Sequence, residues 1–305
     1  MAQYVLSRCL QAIVAMWVVV TIVFALLHLT GDPISVLAPE TMNVQERAQL
    51  AHALGLDLPL SAQYVHFLAD ALHGDLGISF YTNQPAMHLV VERLGVTVEL
   101  VLAAMAIAVG FGIPFGIVSA LHPGGGFDKF LRFISVLGSS IPTFFLGIVL
   151  ILMFSVELSI FPSSGLGSWR NFVLPAFTLA FYRIALFTRL IRSTLIGELS
   201  QDYVRTARAK GLPAIVVILK HALRNALLPF VTAFGLQFGQ LLGGAVITET
   251  IFALPGMNRL GLDAILRLDY PIVIAYTIVI AGLFTLINLL VDLTYGFLDP
   301  RVSYG

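Results

Sequence analysis

Tyr203-Val204-Arg205-Thr206-Ala207-Arg208-Ala209-Lys210-Gly211 lies in a basic stretch, 189–224, flanked by two apolar segments each long enough to cross a bilayer. The stretch predicts a short helix of its own over Ser200–Gly211. Ser200 is a suitable N-cap, and Asp202 sits near the positive end of the helix dipole. Arg205, Arg208 and Lys210 come later, where positive charge is favoured, and Gly211-Leu212-Pro213 stops the helix. Ala207 and Ala209 keep its profile narrow, so it can enter a groove on another protein. A basic loop also sets membrane topology or touches anionic lipid, but those roles do not call for alanine and glycine at these places.

Working outward, the rest of the chain reads as membrane. Of 305 residues, 58% are hydrophobic and 11% charged, against about 25% charged in soluble domains. Apolar segments at 9–29, 98–121, 133–156, 172–191, 228–250 and 272–297 approach or exceed the ~20 residues that cover a ~30 Å hydrocarbon core. Helices are the expected form, because backbone groups in lipid must be bonded within the segment. The first segment has a longer apolar core than a signal peptide and no small-x-small cleavage site, so it reads as a retained anchor. The fold class expected is therefore an all-α integral membrane protein with six transmembrane helices.

Lysine and arginine orient it. Arg8, Lys129, Arg132, Arg192, Arg205, Arg208, Lys210, Lys220, Arg224 and Arg301 fall on one side; Arg47, Arg93, Arg170, Arg259 and Arg267 are spread over more residues on the other, among many acids. Both termini and the 192–227 loop are expected in the cytoplasm, with 30–97 outside. That outer segment predicts two helices. Asn43 and Glu46 form a capping-box pair opening one that runs to Leu54, with Gly55 as its stop. Pro59-Leu60-Ser61 opens a second through Leu72, closed by His73-Gly74.

Pro114, Pro142 and Pro175 predict kinks or boundaries in spans two, three and four. Gly235, Gly239 and Gly243 recur every fourth residue on span five, a face that lets another backbone approach closely; that backbone belongs either to this bundle or to a second subunit. Arg183, in span four, reads as interfacial and snorkelling. Glu249 near the outer end of span five, and Asn288 and Asp292 four apart in span six, are candidates for a pathway or gate, with hydrogen bonding between helices as the alternative.

Catalytic constellations fail on inspection. There is no His-Glu-x-x-His and no Gly-x-Ser-x-Gly. Gly138-Ser139-Ser140 reads as membrane packing rather than as a protease nucleophile. Lys129, Lys210 and Lys220 follow Asp128, Ala209 and Leu219, so no lysine follows a glycine and no Gly-Lys-Ser/Thr phosphate loop exists. If transport uses ATP, another polypeptide binds it. Cys9 is the only cysteine, so no intrachain disulfide forms.

Arg205-Thr206-Ala207-Arg208-Ala209-Lys210-Gly211, followed by Leu228-Pro229, resembles the Glu-Ala-Ala loop of binding-protein-dependent ABC importer permeases. Arg205 stands where that motif often has glutamate, and the gap from Gly211 to Pro229 is longer than usual. Both departures fit the peptide/nickel branch. So do Gly31-Asp32-Pro33, Leu54-Gly55-Leu56-Asp57 with Pro59-Leu60 and Gln63-Tyr64, His73-Gly74-Asp75-Leu76-Gly77 with Ser79, Gly243-Gly244, Glu249, Phe252, Pro255-Gly256 and Asp269-Tyr270-Pro271. In order and spacing these look like the first permease subunit of dipeptide, oligopeptide, glutathione or nickel importers.

The resemblance implies a type I ABC importer permease fold in the bacterial inner membrane. Residues 1–93 would hold the anchor and the extracytoplasmic helical segment, 94–297 the permease core, and 298–305 a cytoplasmic tail. It implies a second permease subunit, two cytoplasmic ATPases carrying ATP and Mg, and an external binding protein, with no cofactor on this chain, no catalytic or metal site, and no nucleic acid. Asp202, Tyr203, Arg205, Thr206, Ala207, Arg208, Ala209, Lys210 and Gly211 would form the ATPase-coupling loop. The cargo stays open among peptides, glutathione, opine-type conjugates and nickel complexes. The other class is an ion-coupled secondary transporter, which calls for mid-depth carboxylates or an internal repeat.

Overall fold

The computed structural model describes residues 2–29, 42–53 and 57–298. Gly31-Asp32-Pro33, Leu54-Gly55-Leu56 and the tail with Arg301 lie outside them. Among the described residues the regular secondary structure is helical, joined by turns and loops, with one isolated antiparallel bridge between Ile78 and Pro85. The helices are α1 (Ala2–Leu29), α2 (Val44–Ala53), α3 (Leu60–His73), α4 (Ala86–Leu121), α5 (Gly126–Ser140), α6 (Thr143–Glu157), α7 (Arg170–Leu199), α8 (Asp202–Ala209), α9 (Ala214–Ala226), α10 (Leu228–Gly244), α11 (Val246–Ile251), α12 (Met257–Arg267) and α13 (Tyr270–Leu298).

Four of these, α1, α4, α7 and α13, are long and apolar enough to cross a membrane alone. The other candidates are bent pairs, one over the expected third span and one whose first helix, α9, precedes the expected fifth span at 228–250. α5 and α6 meet at 106°, and α9 and α10 at 53°. Counting each pair once restores six crossings. The first break has a local cause: Pro142 has no N–H to continue the ladder and forces Ile141 into extended backbone (φ −79°, ψ 120°). Ser139 and Ser140 donate to the carbonyls of Ser135 and Val136, both at 2.9 Å. Pro175 does not open span four as expected; α7 begins at Arg170 and runs through it.

The chain divides into two compact units, Met1–Gly95 with Pro255–Leu289, and Val96–Leu254 with Leu290–Gly305. In the first, Asn43 and Glu46 make the reciprocal cap: Glu46 N–H donates to Asn43 Oδ1 (2.8 Å) and Asn43 N–H to Glu46 Oε2 (2.9 Å). α3 ends at Gly74, whose φ of +76° is left-handed. α3 rests on α1. The Thr21 hydroxyl gives its proton to Trp17 O, so Tyr64 Oη donates to Thr21 across 2.6 Å, and the Phe24 ring packs on Tyr64 and Phe67.

Two motif pieces far apart in sequence join in the same unit. Buried Asp269 accepts from Ser79 Oγ (2.6 Å) and from Phe80 N–H (3.3 Å), while Tyr81 Oη donates to Arg267 O (2.7 Å). Buried carboxylates persist where such donors satisfy them.

In the second unit, glycines set the helix spacing. A Cβ on Gly112 of α4 would sit 2.7 Å from Phe187 Cβ of α7, and one on Gly116 2.6 Å from Ile191 Cβ. On α5, a Cβ at Gly138 would come 3.0 Å from Ala185 Cβ. These are close backbone approaches of the kind small residues allow in membranes. Gly116→Ala is expected to cost about 1–3 kcal/mol through overpacking, read as a lower melting midpoint of the detergent-extracted chain. Gly110→Ala, on the same helix with nothing within 4 Å, is expected to leave the midpoint unchanged or raise it.

Gly235 and Gly239 are buried within this chain, and Gly243 is half-buried. A Cβ at Gly235 would lie 2.0 Å from Val291 Cγ2 of α13. The close approach at Gly235 is thus to the chain's own last helix rather than to a second subunit.

Candidate coupling surface

The basic stretch folds as a helical hairpin, α8 followed by α9. α8 begins later than expected. Ser200 does not cap it: the Ser200 hydroxyl donates to Gly197 O in the last turn of α7, and Gln201 is the N-cap of α8. Its end follows the sequence. Gly211 takes φ +74°, with Gly211 N–H donating to Arg208 O (2.9 Å) and Leu212 N–H to Ala207 O (3.4 Å), a left-handed helix stop. Pro213 then starts α9.

α8 has two faces. Val204 (0% exposed) and Ala207 (7%) are buried against Ala120 of α4, Leu195 of α7, and Val217, Ala222 and Ala226 of α9. Ala207 therefore faces its own chain, which corrects the expectation that it trims the profile presented to a partner. Ala209 is exposed, as are Asp202, Tyr203, Arg205, Thr206, Arg208, Lys210 and Gly211. Lys220 and Arg224 on α9 are exposed too, so the hairpin presents five cations to solvent.

Burial holds α8 in place more than charge does. The Arg205–Asp202 pair (3.3 Å) has side chains 81% and 92% exposed, and such pairs contribute roughly 0–1 kcal/mol. Burying a valine side chain contributes about 1.5–3 kcal/mol. Tyr203 adds a tie by donating to Glu198 of α7. Burial and the neighbouring Glu198 carboxylate raise the Tyr203 phenol above its ordinary pKa, so it stays a donor at neutral pH.

A second feature braces this seat, one that the sequence does not announce. Asp128, fully buried near the start of α5, receives both Arg192 Nε (2.6 Å) and an Arg192 terminal nitrogen (3.0 Å) from α7. Ser119 Oγ of α4 and Gly124 N–H (2.9 Å) also donate to it, and Arg132 stands 3.4 Å away. Ser119 adjoins Ala120, and Arg192 lies one turn before Leu195. The ends of α4 and α7 that seat α8 are therefore held together by one carboxylate. An aspartate beside a Gly-Gly-Gly turn with an arginine 64 residues on carries no local pattern that could have revealed the pair.

Gly211 separates two influences on the loop. A Cβ there meets nothing within 4 Å, so only the positive φ restricts it. Gly211→Asn is expected to fold as well as the unaltered chain, and Gly211→Val to lose roughly 1–2 kcal/mol, measured by the melting midpoint.

The remaining candidates sit elsewhere. Glu249 on α11 is fully buried and accepts from Thr97 Oγ1 of α4 at 2.7 Å, an interhelical bond rather than a face on an open passage. Asn288 is half-buried on α13; the Asp292 side chain lies outside the described residues. Among the described residues no group of three or more His, Cys, Asp or Glu could hold a metal ion.

Known proteins resemble the chain along its whole length. Residues 112–304 match the family model for the binding-protein-dependent transport system inner membrane component, and residues 1–101 match its N-terminal companion. The chain is 39% identical over 313 residues to the "Probable peptide ABC transporter permease protein y4tP" of Sinorhizobium fredii. It is 40% identical over 305 residues to the glutathione transport system permease protein GsiC of Escherichia coli. Each alignment covers 100% of both chains.

Among solved structures, a chain of the MetNI methionine ABC transporter in inward-facing form matches with TM-score 0.58 at 19% identity, covering 70% of this chain and 97% of that one. A chain of an amino acid ABC transporter with histidines matches with TM-score 0.51 at 18% identity, covering 70% and 94%. Those two likenesses speak for the fold: an all-α, type I permease core. With α8 seated as described and both family models matched, the chain belongs to the binding-protein-dependent transport system inner membrane components, and is a permease subunit of an ABC importer.

Proposed function

We propose that this subunit forms half of a translocation pathway for peptides or related small solutes, with its motor on separate chains. α8 enters a groove on a cytoplasmic ATPase, a second permease supplies the other half of the path, and an external binding protein delivers the cargo. Both termini and the α8–α9 hairpin are cytoplasmic. ATP and Mg are bound by the partners, since no lysine in this chain follows a glycine. The carrying observation is the two-faced α8, apolar toward its own helices and cationic outward. Closure of the ATPases moves the spans only if the outward-open state binds closed ATPases better than open ones.

Peptide is favoured as cargo by the names of the full-length relatives; nickel complexes and opine-type conjugates are the alternatives within the same architecture. The test is copurification of the tagged chain with an ATPase subunit and a second permease, followed by identification of the ligand retained by the cognate binding protein. ATP-independent uptake by the purified chain alone would overturn the proposal in favour of a secondary transporter.

A further inference from the structure

Arg183 lies in the middle of α7. At ~1.5 Å per residue it is roughly 20 Å from Arg170 at one end and roughly 24 Å from Leu199 at the other. An ionisable group at such depth normally faces protein or water and is paired. Arg183 is half-buried, and its Nε is buried without a partner. One terminal nitrogen donates to Leu179 O (2.9 Å), and the guanidinium carbon stands 5.8 Å from the Tyr182 ring centroid. Among the described residues no carboxylate comes within ion-pair distance of it, whereas Asp128 and Asp202 each have an arginine.

The direction of the side chain matters as much as its solitude. Snorkelling from the α8 side would carry the guanidinium toward Leu199. It instead turns back one helical turn toward Leu179, away from the end of α7 that carries α8. That is the way helical side chains lean. The cation is thus held at depth, with a donor unused and no carboxylate among the described residues to meet it.

We propose that Arg183 is a substrate-binding residue that receives the carboxylate of the cargo, the C-terminal carboxylate in the case of a peptide, as it crosses the membrane. The proposal rests on the importer reading above and narrows its cargo to anionic or zwitterionic solutes with a free carboxylate. A guanidinium offers a planar fork matched to a carboxylate, and lysine keeps the charge without the fork.

The test uses the complete transporter in liposomes, with both permeases, the ATPases and the loaded binding protein. The probes are a dialanine dipeptide and its C-terminally amidated form. Arg183→Gln is expected to reduce ATP-dependent uptake of the free dipeptide about tenfold to a hundredfold, with Arg183→Lys recovering most of it and with uptake of the amidated probe changed less than about threefold. Both variants are expected to copurify with the ATPases in unchanged amount.

Equal uptake by Arg183→Gln and the unaltered complex, or equal losses for Gln and Lys, would overturn the assignment. So would failure of Arg183→Gln to assemble with the second permease, which would make the partner subunit the source of the missing carboxylate. Absence of ATP-dependent dipeptide uptake by the unaltered complex would count instead against the peptide-importer reading itself.

Discussion

Asp128→Ala is expected to cost the chain about 3–5 kcal/mol, the scale for removing one member of a buried ion pair. The carboxylate is fully buried and takes two bonds from Arg192, one from Ser119 and one from the Gly124 amide. Alanine removes every acceptor at once and leaves the Arg192 charge facing unpaired donors. The measurement is the melting midpoint of the detergent-extracted protein. A companion variant separates pairing from mere space: Asp128→Asn combined with Arg192→Gln removes both charges and is expected to cost less than Asp128→Ala alone. If the double variant were the less stable of the two, the tie would not be an ion pair in energetic terms.

Ala207→Glu is expected to lower uptake by about a hundredfold while the chain still inserts in the membrane, the upper end of ordinary coupling energies. Two costs compete. Seating α8 contributes about 2–4 kcal/mol from the burial of Val204 and the Ala207 methyl. Keeping an unpaired carboxylate in that seat costs several kcal/mol, so the helix leaves instead. Ala209, two residues on, is exposed, and Ala209→Ser is expected to change uptake less than about twofold. Were both alanines mere spacers on a partner-facing surface, Ala207→Ser and Ala209→Ser would respond alike, and Ala207→Glu like Ala209→Glu. Near-normal uptake with Ala207→Glu would show that α8 does not need its seat.

Features with local causes are legible in the sequence. Capping by Asn43 and Glu46, the stop at Gly74 and the stop at Gly211 each depend on a few neighbouring residues. Long apolar runs mark the spans, but hydropathy is blind to direction, so the 106° break at Pro142 reads in sequence as a kink in one rod.

The α8 helix is legible as well, but its faces are not. Alanine at 207 suits a tight partner groove as well as a tight seat, and only the positions of Ala120, Leu195 and Ala222 decide between them. Gly235 poses the same ambiguity, and its close approach proves to be to Val291 of the same chain. Asp128 with Arg192, and Ser79 with Asp269, are illegible as pairs because the partners are joined by topology and not by spacing.

The Ser79–Asp269 bond has a consequence for biogenesis. The two residues are 190 positions apart, and ribosomes add about 5–20 residues per second. For something on the order of 10–40 s after Ser79 is made, Asp269 does not yet exist, and the Ser79 hydroxyl bonds to water or backbone instead. The first unit therefore stays open until residues 255–289 are made, although residues 1–95 come first, and the second waits longer still, for Val291 to reach Gly235.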